Sequence, residues 1–168
     1  MLFGVINRNN QNVVQKESFE SACKVRNSID GIANLEYPNE SVALANLPSF
    51  KASSYRNLAP VCSSDRELAV VFSGQIYNKD ELARSINSAA NNDKNIANLV
   101  LDLYRKHGHS FVDKINGKFA YAIWDKKQGG VTLGRDRFGI EPLYYYSDEN
   151  SVVSTKFLVT LKIARISS

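Results

Sequence analysis

Residues 116–125 read Asn116-Gly117-Lys118-Phe119-Ala120-Tyr121-Ala122-Ile123-Trp124-Asp125. From Phe119 to Trp124 the run is apolar without interruption, so it lacks the polar–apolar alternation of a strand with one wet face. A strand of this kind is covered on both sides. The stretch therefore predicts stacked sheets lying between helices.

The flanking sequence supports that layering. Lys118–Asp125, a turn over Lys126–Gly130 and Val131–Asp136 form an antiparallel hairpin. A second hairpin joins Pro142–Tyr146 to Ser151–Thr155 through Asp148-Glu149-Asn150, and the tail from Lys156 to Ala164 suits a short helix. Upstream, Glu67–Phe72 is an apolar strand that Ser73-Gly74 breaks. Asn78 and Glu81 then make a capping box for a helix whose inner face carries Leu82, Ala83, Ile86 and Ala89/Ala90. In the next helix Ile96, Leu99, Val100, Leu103 and Tyr104 recur at helical spacing, and Gly108 suits a left-handed C-cap.

The first sixty residues are less patterned. Phe19, Ala22, Cys23 and Ile29 suggest a helix over Ser18–Ser28 stopped by Gly31. Ala33–Tyr37 and Ser41–Leu47 read as strands around Pro38-Asn39-Glu40, and Ser49–Ala59 as a polar loop. Strands, helices and strands again give an α+β domain built on antiparallel sheet.

With 168 residues and 43% hydrophobic composition, the expectation is a single domain over 1–168 with a full core. No apolar run is long enough to span a bilayer and no signal-peptide pattern precedes the first strand, so a cytoplasmic location is expected, without membrane association. Twenty-one basic against 17 acidic residues give +4, dispersed rather than striped, which argues against a nucleic-acid partner. Cys23 and Cys62 have no metal-ligand spacing and are expected to be reduced, so no metal site is expected.

Three stretches carry a family resemblance: Phe72-Ser73-Gly74-Gln75-Ile76-Tyr77-Asn78, the Asn116–Asp125 run, and Arg135-Asp136-Arg137-Phe138-Gly139-Ile140-Glu141-Pro142-Leu143-Tyr144-Tyr145. Their order and separation resemble the N-terminal, class II glutamine amidotransferase (glutaminase) domain of asparagine synthetases, over roughly Glu67 to Leu161. The resemblance implies a four-layer αββα sandwich of the N-terminal-nucleophile hydrolase type, with mostly antiparallel sheets. Within it, Asn78, Asn116, Gly117, Gly139 and Tyr144 belong to the structural motif. Trp124, Phe138 and Tyr144–Tyr146 read as core aromatics, and Arg135, Asp136 and Arg137 as an ion-pair and hydrogen-bond knot.

The family's reaction splits glutamine into glutamate and ammonia. Its nucleophile is a cysteine that follows the initiator Met and is exposed by removal of that Met. Leu2 stands at this position, with no lone pair to attack an amide, and a bulky second residue should keep Met1 in place. Ser73 replaces the oxyanion-hole asparagine, while Gly74 is retained, so the pair is a vestigial oxyanion and substrate pocket or simply a strand-ending turn. The strand that carries a carboxylate-binding arginine in the family corresponds to Leu44–Phe50, which has none; Arg56 is the nearest. Ile96 stands where an aspartate holds the substrate amino group, and Asp93 reads as a first-turn acid.

No catalytic residue is therefore expected. The resemblance implies a non-hydrolytic domain belonging to an ATP-dependent, amide-forming ligase of asparagine-synthetase type, as in β-lactam synthetases and lasso-peptide cyclases. Its partner would be an ATP-pyrophosphatase synthetase domain, in cis or in trans. The Ser-Gly-Gly-x-Asp-Ser phosphate loop is not in this sequence, so ATP and Mg would belong to that partner and no cofactor to this chain. An exposed apolar patch near the C-terminal tail is expected, and a homo-oligomer is compatible. The alternatives are a re-purposed amidase built on Ser73 or an amino-acid sensor. His107 and His109 flank Gly108 and read as a helix-end feature and a surface residue.

Overall fold

The computed structural model describes residues 2–7, 13–26, 34–46, 59–87, 95–147, 149 and 151–155. In chain order the elements are β1 (Leu2–Asn7), α1 (Lys16–Arg26), β2 (Asn34–Asn39), β3 (Val42–Asn46), β4 (Val61–Cys62) and β5 (Leu68–Ile76). There follow α2 (Lys79–Ser85), α3 (Ile96–His107), a 3-10 helix (Gly108–Lys114), β6 (Gly117–Asp125), β7 (Gly130–Arg135), β8 (Tyr144–Ser147) and β9 (Ser151–Thr155). The strands form two antiparallel sheets, ordered β2-β3-β1-β9-β8 and β4-β5-β6-β7.

Side-chain alternation assembles these pieces into four layers. On β5 and β6, Val70, Phe72, Ile76, Phe119, Tyr121 and Ile123 face α2, α3 and the 3-10 helix. The intervening residues Ala69, Val71, Ala122 and Trp124 face the other way, onto Val42 and Leu44 of β3. Behind those, Ala43 and Ala45 meet Phe19 and Cys23 of α1. The unbroken apolar run of β6 is thus buried on two faces, as its pattern requires.

The interface between α3 and the second sheet follows the predicted stripe: Leu99, Val100 and Leu103 are inaccessible and Tyr104 is buried. Phe111 completes it, with ring centroids 5.2 Å from Tyr121 and 6.0 Å from Tyr104. Tyr104 donates to the Asp125 carboxylate at 3.0 Å, and burial followed by that bond pushes its hydroxyl up to about 12.

Several local expectations need correction. Helix α1 begins two residues earlier than its spacing suggested, and Gly31 lies outside the described residues. Pro38-Asn39-Glu40 is not the turn. Strand β2 runs through Pro38 and Asn39, and the chain reverses at Glu40-Ser41, where Asn39 Oδ1 accepts from Ser41 N at 2.9 Å. A proline is tolerated because β2 is an edge strand with a register shift between Glu36 and Asn39. Strand β4, only two residues long, is too short to leave a pattern in the sequence.

Asn78 is not a side-chain cap for α2. Its amide is engaged elsewhere: Nδ2 donates to Lys114 O and Oδ1 accepts from Asn116 N, both at 3.0 Å. With Tyr77 N donating to Asn116 O at 2.7 Å, this stitches the end of β5 to the start of β6. The cap of α3 is Asn95, whose side chain accepts from Ala97 N. Gly108 has the expected positive φ of 58°, but its ψ of −144° takes the chain into the 3-10 helix rather than a left-handed cap. Strand β8 starts at Tyr144 instead of Pro142. The predicted helix over 156–164 and the positions of Ala89 and Ala90 lie outside the described residues.

Candidate functional site

One end of the sandwich collects the residues on which the chemistry turns. Strand β1 lies inside the first sheet, between β3 and β9, with Leu2 opposite Asn46 and Phe3 opposite Ala45 and Thr155. Asn46 is buried, and its Nδ2 crosses to the second sheet to donate to Phe72 O at 2.8 Å. The next residue, Ser73, is also buried and follows Ala69 and Val71 on the inner face of β5. Leu2 is thus paired along the sheet with Asn46, whose side chain reaches the strand that runs on into Ser73 and Gly74.

Ser73-Gly74 is not a strand-ending turn. Strand β5 continues through both residues to Ile76, with Ser73 opposite Ala120 and Gly74 opposite Phe119. Gly74 has φ +120°, and a Cβ there would overlap the Lys118 carbonyl oxygen and sit 2.7 Å from Phe119 Cα. Both the backbone angle and the approach of β6 require glycine. Gly117 repeats the device from the other strand, since its Cβ would strike Gln75 O.

Asp136 organises the segment after β7. Its carboxylate accepts from the backbone N–H groups of Phe119 (3.3 Å), Phe138 (3.2 Å), Ile140 (2.9 Å) and Glu141 (2.9 Å). Burial alone pushes this carboxyl up; the four donors, Glu141 foremost, outweigh burial and hold it below the usual range. Gly139, at φ +64°, donates to Asp136 O at 3.0 Å and closes the turn. The expected ion-pair knot is thus a carboxylate caged by backbone amides: among the described residues no salt bridge joins Asp136 to Arg135 or Arg137. Trp124 is in the core, but Phe138 is 88% exposed and Tyr144, Tyr145 and Tyr146 are exposed as well. These four are surface aromatics, carried on the outside of the Asp136 turn and on the edge strand β8.

A family model described as a glutamine amidotransferase domain matches residues 51–161, about two thirds of the sequence. The chain belongs to that family. This glutamine amidotransferase domain is 41% identical over 86 residues to asparagine synthetase (glutamine-hydrolyzing) 2 of Bacillus subtilis, covering 51% of the chain and 12% of that protein. It is 32% identical over 108 residues to amidase chyE of Penicillium rubens, covering 62% of the chain and 15% of that protein. The chain therefore spans only a small part of the length of these relatives. Among solved structures it is similar to the glutamine phosphoribosylpyrophosphate amidotransferase of B. subtilis, with TM-score 0.50 and 14% identity over 69% of this chain and 28% of that one. That likeness and the layering together give the αββα sandwich of N-terminal-nucleophile enzymes.

The amidotransferase domain's two cysteines lie on other parts of the two sheets than Leu2, Asn46 and Ser73. Cys23 is buried between α1 and β3, where burial, then the nearby Glu20, pushes its thiol up to about 11. Cys62 is on the short edge strand β4, opposite Ala69, and burial raises its thiol too. Both are free. His109 approaches Gln128 at 3.1 Å, in the turn beyond Asp125, whereas Ser73 sits opposite Ala120. Five strand residues, roughly 17 Å, separate those levels of the sheet, so His109 is no base for Ser73. His107 is lowered by desolvation and by Lys114 and Lys106.

Ile96 is the first residue of α3 and packs into the core, and the first turn of that helix has no acid. Asp93, Arg56 and the rest of residues 47–58 lie outside the described residues. Among the described residues there is no cluster of His, Cys, Asp or Glu suited to a metal, and no helix long and apolar enough to cross a membrane. Sequence reasoning missed Asn46. Its signal was a polar residue ending the run Val42-Ala43-Leu44-Ala45, a position that must be hydrogen-bonded if the strand is central.

Proposed function

We propose that this amidotransferase domain does not hydrolyse glutamine and serves instead as the structural partner of an ATP-dependent, amide-forming synthetase unit of asparagine-synthetase type. The observation that carries the reading is the start of β1: Leu2 opens the strand opposite Asn46, while Cys23 packs between α1 and the other face of that sheet and Cys62 sits on the edge strand β4. A leucine side chain forms no thioester, and Ser73 in place of a longer amide shortens the reach of a second oxyanion donor. Preservation of the sandwich, of the glycine contacts between β5 and β6 and of the Asp136 cage supports retention for shape. ATP and Mg belong to the partner in this reading, and so does the amide product.

The test mixes the chain with a protein carrying a Ser-Gly-Gly-x-Asp-Ser loop encoded beside it. Pyrophosphate release and amide formation are followed with ammonium, with a substrate's own amine, or with glutamine. The reading predicts that glutamine does not replace an amine. Amide formation driven by glutamine alone contradicts it.

A further inference from the structure

A cleft of about 450 Å³ opens between the 3-10 helix and the Asp136 turn. Lys114, Arg135 and Arg137 line it against a single carboxylate, Asp113, with Phe138 at its margin. Among the described residues none of the three cations forms a salt bridge. The two arginines flank the caged Asp136, so the backbone from which they project is held by four hydrogen bonds. The Arg135 guanidinium lies over Gly139, its Cζ 3.2 Å from where a Cβ would stand, which a side chain at 139 would disturb. Guanidinium groups on a fixed loop are pre-organised for carboxylates and lose little entropy on binding.

The neighbourhood of the cleft selects the kind of anion. Phe138 is 88% exposed and Ile140 is 59% exposed, and both are carried by the same turn. A small anion would leave this apolar surface wet, whereas a peptide with alternating acidic and apolar side chains would cover it while pairing with the cations. We propose that the Lys114–Arg135–Arg137 cleft, with Phe138 and Ile140, binds an acidic peptide segment of the partner protein that carries an apolar anchor residue. This rests on the partner-docking reading above and adds the chemistry of the contact.

The experiment uses the full chain and the fluorescein-labelled peptide acetyl-Glu-Leu-Glu-Phe-Glu-amide, followed by anisotropy in 50 mM and 500 mM NaCl. Saturable binding is expected that weakens with salt and is about tenfold weaker in the Arg135→Gln/Arg137→Gln variant, the loss of charge-assisted bonds of roughly 1.4 kcal/mol in all. Phe138→Ala should weaken it as well. Circular dichroism establishes that each variant is folded, and all three side chains are exposed. Equal binding of the lysine counterpart acetyl-Lys-Leu-Lys-Phe-Lys-amide overturns the proposal, as does unchanged affinity in the folded double variant. Displacement of the peptide by low-millimolar inorganic phosphate overturns it in favour of a small-anion site. Glutamate production from glutamine is measured in the same preparation, so failure of the non-hydrolytic reading registers separately from failure of peptide binding.

Discussion

Asn46 and Phe72 tie the two sheets together: the Asn46 amide, on β3, donates to the Phe72 carbonyl, on β5, at 2.8 Å inside the sandwich. Beside it the cluster of Val42, Leu44, Ala69, Val71, Ala122 and Trp124 is apolar, and a directional bond adds what shape packing alone does not, a fixed position of β3 over β5. Asn46→Ala should cost about 1–2 kcal/mol, a buried hydrogen bond with its carbonyl left behind. Urea unfolding monitored at Trp124 measures it, and an unchanged midpoint would refute the role.

Gly74 is held by geometry on two counts, its φ of +120° and the β6 backbone directly above its Cα. Gly74→Ala is expected to destabilise by about 3 kcal/mol or more, since neither strand can give way without breaking the pairing between them. Thermal melting tests this. A melt within a degree of wild type would mean that the retained glycine reflects something other than packing.

Asp136 predicts a pH signature. Its carboxyl is held below the usual range in the folded state, so the unfolded chain binds its proton at higher pH. The stabilisation is fully present above about pH 4, the unfolded value, and drains away as pH falls through the lower folded value. Asp136→Asn turns an amide N–H toward backbone donors and should cost about 2–4 kcal/mol at pH 7. That loss should shrink between pH 4 and pH 2. Denaturant midpoints of both proteins across this range give the difference, and a constant gap would show that ionisation of Asp136 is not involved.

The Cys23 thiol, pushed up to about 11, is predicted to be inert to a disulfide reagent in native protein at pH 8 and to react on unfolding. Cys62, half-buried on an edge strand, should react before it. Counting thiols released with and without denaturant decides the order, and immediate reaction of Cys23 would place it outside the core.

What the amino-acid sequence made legible depended on whether a residue's role is local. The α3 stripe is a periodic signal and the β6 run an unbroken apolar one, and each is legible in a short window of sequence. Asn78 looks like a cap because a capping box is a local pattern, whereas its partners, Lys114 and Asn116, are more than thirty residues away. Ser73-Gly74 looked like a turn because glycine commonly breaks strands; the reason it does not is the backbone of β6, which no local window contains. Residue type alone points Phe138 and Tyr144–Tyr146 to the core, whereas an edge strand and an amide-caged turn place them outside. Asn46 stands out as the polar end of an apolar run, but its partner, the Phe72 carbonyl, is on a strand of the other sheet.

The central claim concerns the first residues of β1. Purified chain incubated with glutamine and hydroxylamine should yield no γ-glutamyl hydroxamate and no glutamate above a heat-denatured control, because Leu2 provides no nucleophile to accept the acyl group. Sustained product formation by the native chain, abolished by Ser73→Ala and leaving the fold intact, would contradict the account and assign the domain a working nucleophile after all.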